Sequence, residues 1–301
     1  MSSYCGRFAP TPSGPLHFGS MLAAIGSWCD ARANRGVWQL RMDDIDPPRV
    51  AAGAIDEILR CLRAFALDWD GDIVYQSRRA DAYHAALHVL RKRAPVFACA
   101  CSRREIGEAG LAGADGALYP GTCRGGLPPG RAARALRLRV DQAEIVFEDA
   151  LQGNTAQRLE TQVGDFVLYR ADHVYSYHLA CAVDDAEQGI THVVRGADLL
   201  DSTPRQIHLQ HLLGLPTPEY LHLPVVVDES GAKLSKQTLA RPVDASRPAP
   251  VIHDALKLLG QQPPAELARA GAHEAMSWAV AHWHRKNLPA KRELPLSSLR
   301  A

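Results

Sequence analysis

The sequence predicts an α/β chain in which a parallel sheet wound with helices is split by an insertion and followed by a short helical tail. Three observations carry this. Apolar runs and helix-period stripes alternate through the first 65 residues, the periodicity collapses over residues 91–139, and a strand-and-helix pattern returns at His192. Alternating strands and helices at this spacing imply right-handed βαβ units and therefore parallel strands.

Tyr4 to Ala9 reads as a short buried strand running into Pro10, Pro12, Gly14 and Pro15. Met21, Leu22, Ile25, Trp28 and Cys29 then recur on one helical face, and Gly36 is expected to close that helix. Val37 to Met42 is a second strand, followed by Asp43, Asp44 and Asp46, and Ile55, Ile58, Leu59, Leu62 and Phe65 make a second helical stripe. Residues 91–139 are glycine-rich and carry ten Lys or Arg against three Asp or Glu. His192 to Arg195 resumes as a strand. A helix follows, capped by Ser202 or Thr203, with Pro204 at its start and Gly214 at its end. Val225 to Val227 is a further strand, Asp228 to Gly231 a turn, residues 241–252 a proline-rich loop, and the remainder helical. The boundaries expected are 1–90 and 175–240 for the split core, 91–174 for the insertion and 241–301 for the tail.

The composition is that of an ordinary globular protein, with 47% apolar and 22% charged residues and a formal net charge of +1. Net charge therefore gives no argument for nucleic acid. No apolar run approaches the roughly 18 residues of a membrane span, and MSSYCGR lacks a secretory apolar core. Seven cysteines is an odd number for a disulfide framework. Reduced thiols in a cytoplasmic protein are expected. Oligomeric state is not readable, and a monomer is the working expectation.

Three clusters can carry chemistry. His17 and Gly19 sit where the first strand feeds the first helix, a place that favours phosphate beyond the strand ends of a parallel sheet. "GAKLSKQ", residues 231–237, offers Lys233 and Lys236 to neutralise a leaving pyrophosphate. Cys99, Cys101 and Cys123 supply three of the four donors that tetrahedral zinc needs. Each cluster alone also fits a plainer reading: turn residues, a solvated loop, buried reduced thiols. Arg124, Arg131, Arg134, Arg137 and Arg139 follow the cysteines and are either a solvated face or a surface for RNA phosphates.

Taken together and in order, these pieces resemble a class I aminoacyl-tRNA synthetase core, which implies a Rossmann-like fold. "HFGS" stands at the HIGH signature and "KLSKQ" at KMSKS. "RFAPTPSGPLHFGS", "RMDDIDPPR", "DDAEQGITHVVRGADLL" and "HLPVVVDESGAKLSKQ" are similar to the glutamyl-tRNA synthetase family over about residues 5–240. That resemblance assigns ATP to His17, Gly19 and Lys236, with Lys233 assisting. It assigns glutamate to Arg7, Phe8, Ala9, Pro10, Thr11, Asp43, Tyr177 and Arg195. Asp43 stands where the family has Glu, and a bidentate Arg195 suits the side-chain carboxylate. Tyr119, four residues before Cys123, matches the family's unusual fourth zinc ligand; three cysteines with a water is the other version.

Only 64 residues follow Gln237 (301 − 237), so no anticodon-binding region is expected. The resemblance is thus to a shortened branch of the family. That branch activates L-glutamate with ATP and Mg²⁺, alone or with tRNA's assistance. It then joins glutamate to the queuosine base in the anticodon of tRNA(Asp). The rivals are a minimal enzyme charging a tRNA 3′ end and a tRNA-binding paralog without catalysis.

Overall fold

A computed structural model describes residues 3–109, 112–113, 116–228 and 241–299. The chain runs β1 (Cys5–Phe8), α1 (Phe18–Ala33), β2 (Val37–Met42), α2 (Ala54–Ala64), β3 (Val74–Tyr75) and α3 (Ala80–Arg93). The middle segment holds β4 (Val96–Cys99), α4 (Arg103–Glu108), β5 (Ala112–Gly113), β6 (Gly116–Ala117), β7 (Ala135–Leu138), β8 (Glu144–Asp149), β9 (Gly153–Arg158), α5 (Leu159–Gln162) and β10 (Phe166–Tyr169). Then come α6 (Tyr177–Glu187), β11 (His192–Gly196), α7 (Thr203–Leu213), β12 (Glu219–Leu223) and β13 (Val225–Val227), and finally α8 (Pro248–Leu258), α9 (Ala272–Ala281) and β14 (Glu293–Pro295).

The architecture is mixed α/β with parallel sheets. β2 lies between β1 and β3, all parallel, with Arg7 opposite Gln39 and Arg41 opposite Val74. β11 and β12 are parallel, with Arg195 directly opposite His222. The two sheets meet where Thr191 N donates to Cys5 O at 2.9 Å. The antiparallel hairpin β8–β9 joins β12 through Tyr220 opposite Asp149, so strands of the middle segment complete the second sheet. β4, β7 and β10 form a separate antiparallel sheet.

Two apolar cores follow from this layout. One joins β1, α1, β2 and α2 to the tail, burying Met21, Ile25, Trp38 and Phe65 against Ile252, Leu256, Met276 and Trp283. The other joins α3 and the middle segment to α6, α7, β11 and β12 through Leu90, Leu138, Leu168, Leu179, Val193 and Ile207. The tail is also held by charge. Fully buried Asp30 of α1 accepts from Arg285 Nε at 2.7 Å, Trp283 Nε1 at 3.0 Å and Tyr4 OH at 2.5 Å.

The local expectations need four corrections. The left-handed residue that ends α1 is Arg35, with φ of 54°, not Gly36. Gly36 is needed for close approach, because a Cβ there would sit 2.6 Å from Tyr4 O. Ser202 makes no side-chain cap on α7, and Thr203 is its first residue, whereas Gly214 does end it at φ of 72°. α8 begins at Pro248, inside the stretch expected to be loop, since proline in a first turn loses no helical hydrogen bond. The tail also contains β14, which pairs in parallel with β13 (Val226 opposite Leu294). The expected turn after Asp228, with Lys233 and Lys236, lies outside the described residues.

Candidate active site

The strand ends carry a buried ionic cluster. Arg41 of β2 is fully buried; its Nε donates to Asp43 Oδ1 at 2.8 Å and its Nη1 to Asp185 Oδ1 at 2.7 Å. Arg7 of β1 donates from Nε to the same Asp185 oxygen at 3.2 Å. Its Nη atoms have no protein partner among the described residues. Asp184 next door accepts from Arg79 Nε at 2.6 Å, and from Gln76 Nε2 and Tyr83 OH at 2.8 Å each. Tyr177, Cys181, Asp184 and Asp185 share one face of α6 at helical spacing, and Gln188, which caps the helix, continues it. Asp43 N bonds Pro10 O at 3.0 Å, which fixes the carboxylate beside the Arg7–Thr11 turn.

The two pocket carboxylates behave oppositely. Burial raises the Asp43 carboxyl above its ordinary value, although Arg41 opposes this. Burial also acts on Asp185, but Arg7 and Arg41 outweigh it and pull that group down to about 2. Asp43 is thus the carboxylate that gains most from a cation arriving from solution.

Arg195, at the end of β11, is built differently. It is 5% exposed, yet no carboxylate contacts it among the described residues. Nε donates to His222 Nε2 at 3.0 Å, Nη2 donates to Thr203 Oγ1 at 2.8 Å, and the guanidinium lies 5.5 Å from the Tyr220 ring centre. Its Nη1 is buried without a hydrogen-bond partner among the described residues. A buried cation with an unused donor is costly unless an anion completes it. Tyr177 lies within electrostatic reach of Arg195, Arg7 and Asp43, and burial keeps its phenol protonated.

Two cavities flank these residues. A small one, of about 160 Å³, is lined by His17, Gly19, Ser20, Gly196, Asp198 and Val226. It brings the HFGS turn against the ends of β11 and β13. His17 caps α1 in an extended conformation and accepts from Ser20 N at 3.3 Å, so its ring stands at the helix N-terminus. The larger cavity, of about 590 Å³, lies between the middle segment and α6. Arg103, Arg137, Arg170, Arg205, Tyr177 and His178 are among its walls.

The three cysteines converge. Their sulfurs all lie within 4.8 Å of one another, with Cys101 and Cys123 3.8 Å apart. Four donors around zinc at about 2.3 Å would place sulfurs about 3.8 Å apart. Tyr119 OH is 3.9 Å from Cys101 Sγ and accepts from Cys123 N at 2.7 Å. The donor set therefore fits a metal ion. The surrounding core is small: Ala100 and Ile106 besides the cysteines and Tyr119.

The structure gathers Arg7, Asp43 and Tyr177 around one cluster, sets Arg195 within electrostatic reach of Tyr177, and sets His17 and Gly19 on a neighbouring cavity. Three of the five arginines read as a run are tied into the middle segment around the cysteines instead. Arg124 pairs with Asp165 through two 2.7 Å bonds, Arg131 pairs with Glu105 at 2.7 Å, and Arg137 is buried 4.3 Å from the Tyr119 ring centre. Arg134 is exposed, and exposed Arg139 pairs with Asp141 alone among the described residues. Sequence reading missed Arg41, Cys181, Asp185, His222 and Asp149. The polar stripe on α6 was a usable signal for Cys181 and Asp185, whereas nothing local marks the His222–Asp149 contact, 73 residues apart.

Residues 5–248 match the model of the catalytic domain of class I tRNA synthetases (E and Q), and the chain belongs to that family. Among named relatives, the glutamyl-Q tRNA(Asp) synthetase of Aromatoleum aromaticum is 56% identical over 286 residues, spanning 95% of this chain and 90% of that protein. Proteins of the same name from Dechloromonas aromatica (56% identical, 94% of each chain) and Pseudomonas aeruginosa (50% identical, 98% of each) are similar throughout. A glutamate tRNA ligase from Elizabethkingia meningosepticum shares the fold, with a TM-score of 0.80 at 23% identity over 99% of this chain and 68% of that one. Among the described residues no helix is long and apolar enough to cross a membrane.

Proposed function

We propose that the protein is an ATP-dependent ligase that activates L-glutamate as glutamyl-adenylate and transfers it to the queuosine base in the anticodon of tRNA(Asp). The observation that carries the reading is Arg195: a buried guanidinium with no carboxylate in contact and one unused nitrogen among the described residues, within electrostatic reach of Tyr177 and of a cluster in which Asp43 gains from a cation. The full-length similarity to proteins named for this reaction supports it.

Asp43 and Tyr177 take the substrate ammonium, Arg195 takes the side-chain carboxylate, and Arg7 with the Phe8–Thr11 backbone (through Ala9 and Pro10) orients the α-carboxylate. The α-carboxylate oxygen attacks the ATP α-phosphorus in line and pyrophosphate leaves. ATP enters with Mg²⁺, its phosphates against His17 and Gly19, and Lys233 and Lys236 neutralise the leaving group. A hydroxyl of the queuosine ring then attacks the acyl carbon, forming an ester and releasing AMP. No protein nucleophile is required; the barrier is lowered by positioning and charge.

Cys99, Cys101, Cys123 and Tyr119 hold one structural zinc ion. The segment around them buries too little apolar surface to fold without a staple. Purified protein should contain one zinc per chain, and Cys101→Ser should lose both metal and thermal stability; metal-free wild type with an unchanged melting temperature contradicts the site. Arg134 and neighbouring cations of the middle segment meet tRNA phosphates, in the cytoplasm where ATP and tRNA are available.

Labelled glutamate offered to tRNA(Asp) tests the function. Acceptance should require queuosine, vanish with unmodified guanine, and survive enzymatic trimming of the 3′ adenosine. Loss of acceptance on trimming would instead identify an enzyme that charges the 3′ end.

A further inference from the structure

Arg195 donates from Nε to His222 Nε2, and an arginine has no acceptor to offer in return. His222 Nε2 must therefore present its lone pair, and the ring proton sits on Nδ1, 2.6 Å from Asp149 Oδ2. Asp149 is itself fixed: its carboxylate accepts from the backbone N–H groups of His222, Leu151 and Gln152 at 2.8–3.2 Å. Both side chains of this pair are essentially out of solvent. Burial lowers the His222 ring to about 4, despite Asp149, so it is neutral at physiological pH. Arg195 and His222 are register partners on adjacent parallel strands, which sets their approach without help from a loop.

Arg41 shows the alternative. There carboxylates neutralise the guanidinium directly and occupy its donors. Had Asp149 paired with Arg195 in that way, it would compete with an incoming carboxylate. A neutral imidazole interposed between them transmits some of the negative potential, occupies only Nε and leaves Nη1 unspent.

We infer that His222, backed by Asp149, is a positioning residue that fixes the Arg195 guanidinium and reserves its Nη1 for the substrate's side-chain carboxylate. The inference rests on the reading of Arg195 given above. His222 touches no substrate; its Nε2 also lies 3.1 Å from Thr203 Oγ1, which accepts from the same guanidinium, so it acts on Arg195 directly and through Thr203.

The test is steady-state glutamate-dependent ATP–pyrophosphate exchange with wild type, His222→Gln, Arg195→Ala and the double variant. His222→Gln should raise the glutamate KM about tenfold, roughly the value of one charge-assisted hydrogen bond, and leave the ATP KM within about twofold. In the Arg195→Ala background, adding His222→Gln should change the glutamate KM by less than about twofold. Equal rises in both KM values, or a fully additive double variant, would overturn the positioning role. If Arg195→Ala alone leaves the glutamate KM unchanged, the site reading beneath the inference fails, and the inference with it. Should His222→Gln not fold, nitrogen-15 spectra of wild-type histidines decide the matter. They should report His222 as the neutral Nδ1–H tautomer between pH 6 and 8; an Nε2–H tautomer contradicts the inference.

Discussion

Arg41 and Arg195 are both buried arginines at the ends of parallel strands, and their surroundings are opposite. Arg41 sits among Asp43, Asp184 and Asp185, with contacts of 2.8, 3.9 and 2.7 Å. Arg195 meets a neutral imidazole, a hydroxyl and an aromatic face. With Arg7, Arg79 and Glu187, the first cluster sets three cations among four carboxylates; in the second, no carboxylate touches the guanidinium among the described residues. Arg41 has its donors occupied without a ligand and frames the pocket. The second cluster is completed by one, and that contrast separates scaffold from receptor more clearly than burial alone.

Substitution should break the comparison in opposite senses. Arg41→Ala leaves Asp43 and Asp185 buried with less compensation, and should cost about 3–5 kcal/mol of unfolding free energy in denaturant titrations. Arg195→Ala removes an uncompensated charge, so the denaturation midpoint should hold or rise. Its glutamate kcat/KM should fall about 100-fold, or about 2.7 kcal/mol of transition-state stabilisation. A large stability loss in Arg195→Ala with normal activity would reverse the two assignments.

Acid should separate the regions more gently. Asp185 is held near 2, below the roughly 3.9 of an unfolded aspartate, so its contribution is present above about pH 4 and is lost as pH falls towards 2. His222 and His178 are pushed down by burial to about 4 and about 3, against about 6.5 when unfolded. Between those values the unfolded chain binds the extra protons. Stability should therefore already decline as pH falls from about 6.5, and His178→Gln should flatten that part of the curve. The smallest effect is on binding. The Asp43 carboxyl is raised, so glutamate affinity should weaken on acidification at a higher pH than an ordinary aspartate would produce.

The sequence was most legible where one residue type has one local job. The strands at 5–8 and 37–42, the helix ended by Gly214 and the cysteine cluster all follow from short patterns. The tail was legible only in part, because β14 is a strand by virtue of pairing with β13, which local composition does not record. Arginines 124, 131 and 137 looked like a solvated or RNA-facing run. Their partners, Asp165, Glu105 and the Tyr119 ring, become neighbours only after the middle segment folds. Arg195 could be picked out by family resemblance, but its incompleteness could not, since that depends on which carboxylates three-dimensional packing keeps away.

The most direct test of that incompleteness is calorimetric titration of the protein with L-glutamate and with L-glutamine, which differ only in the group offered to Arg195. A buried donor set built for a carboxylate predicts glutamate binding tighter by about 100-fold or more, with the difference shrinking to within about threefold in Arg195→Ala. Equal affinities in the wild type, or a preference for glutamate undiminished in Arg195→Ala, would contradict the assignment of Arg195 as the receptor for the side-chain carboxylate.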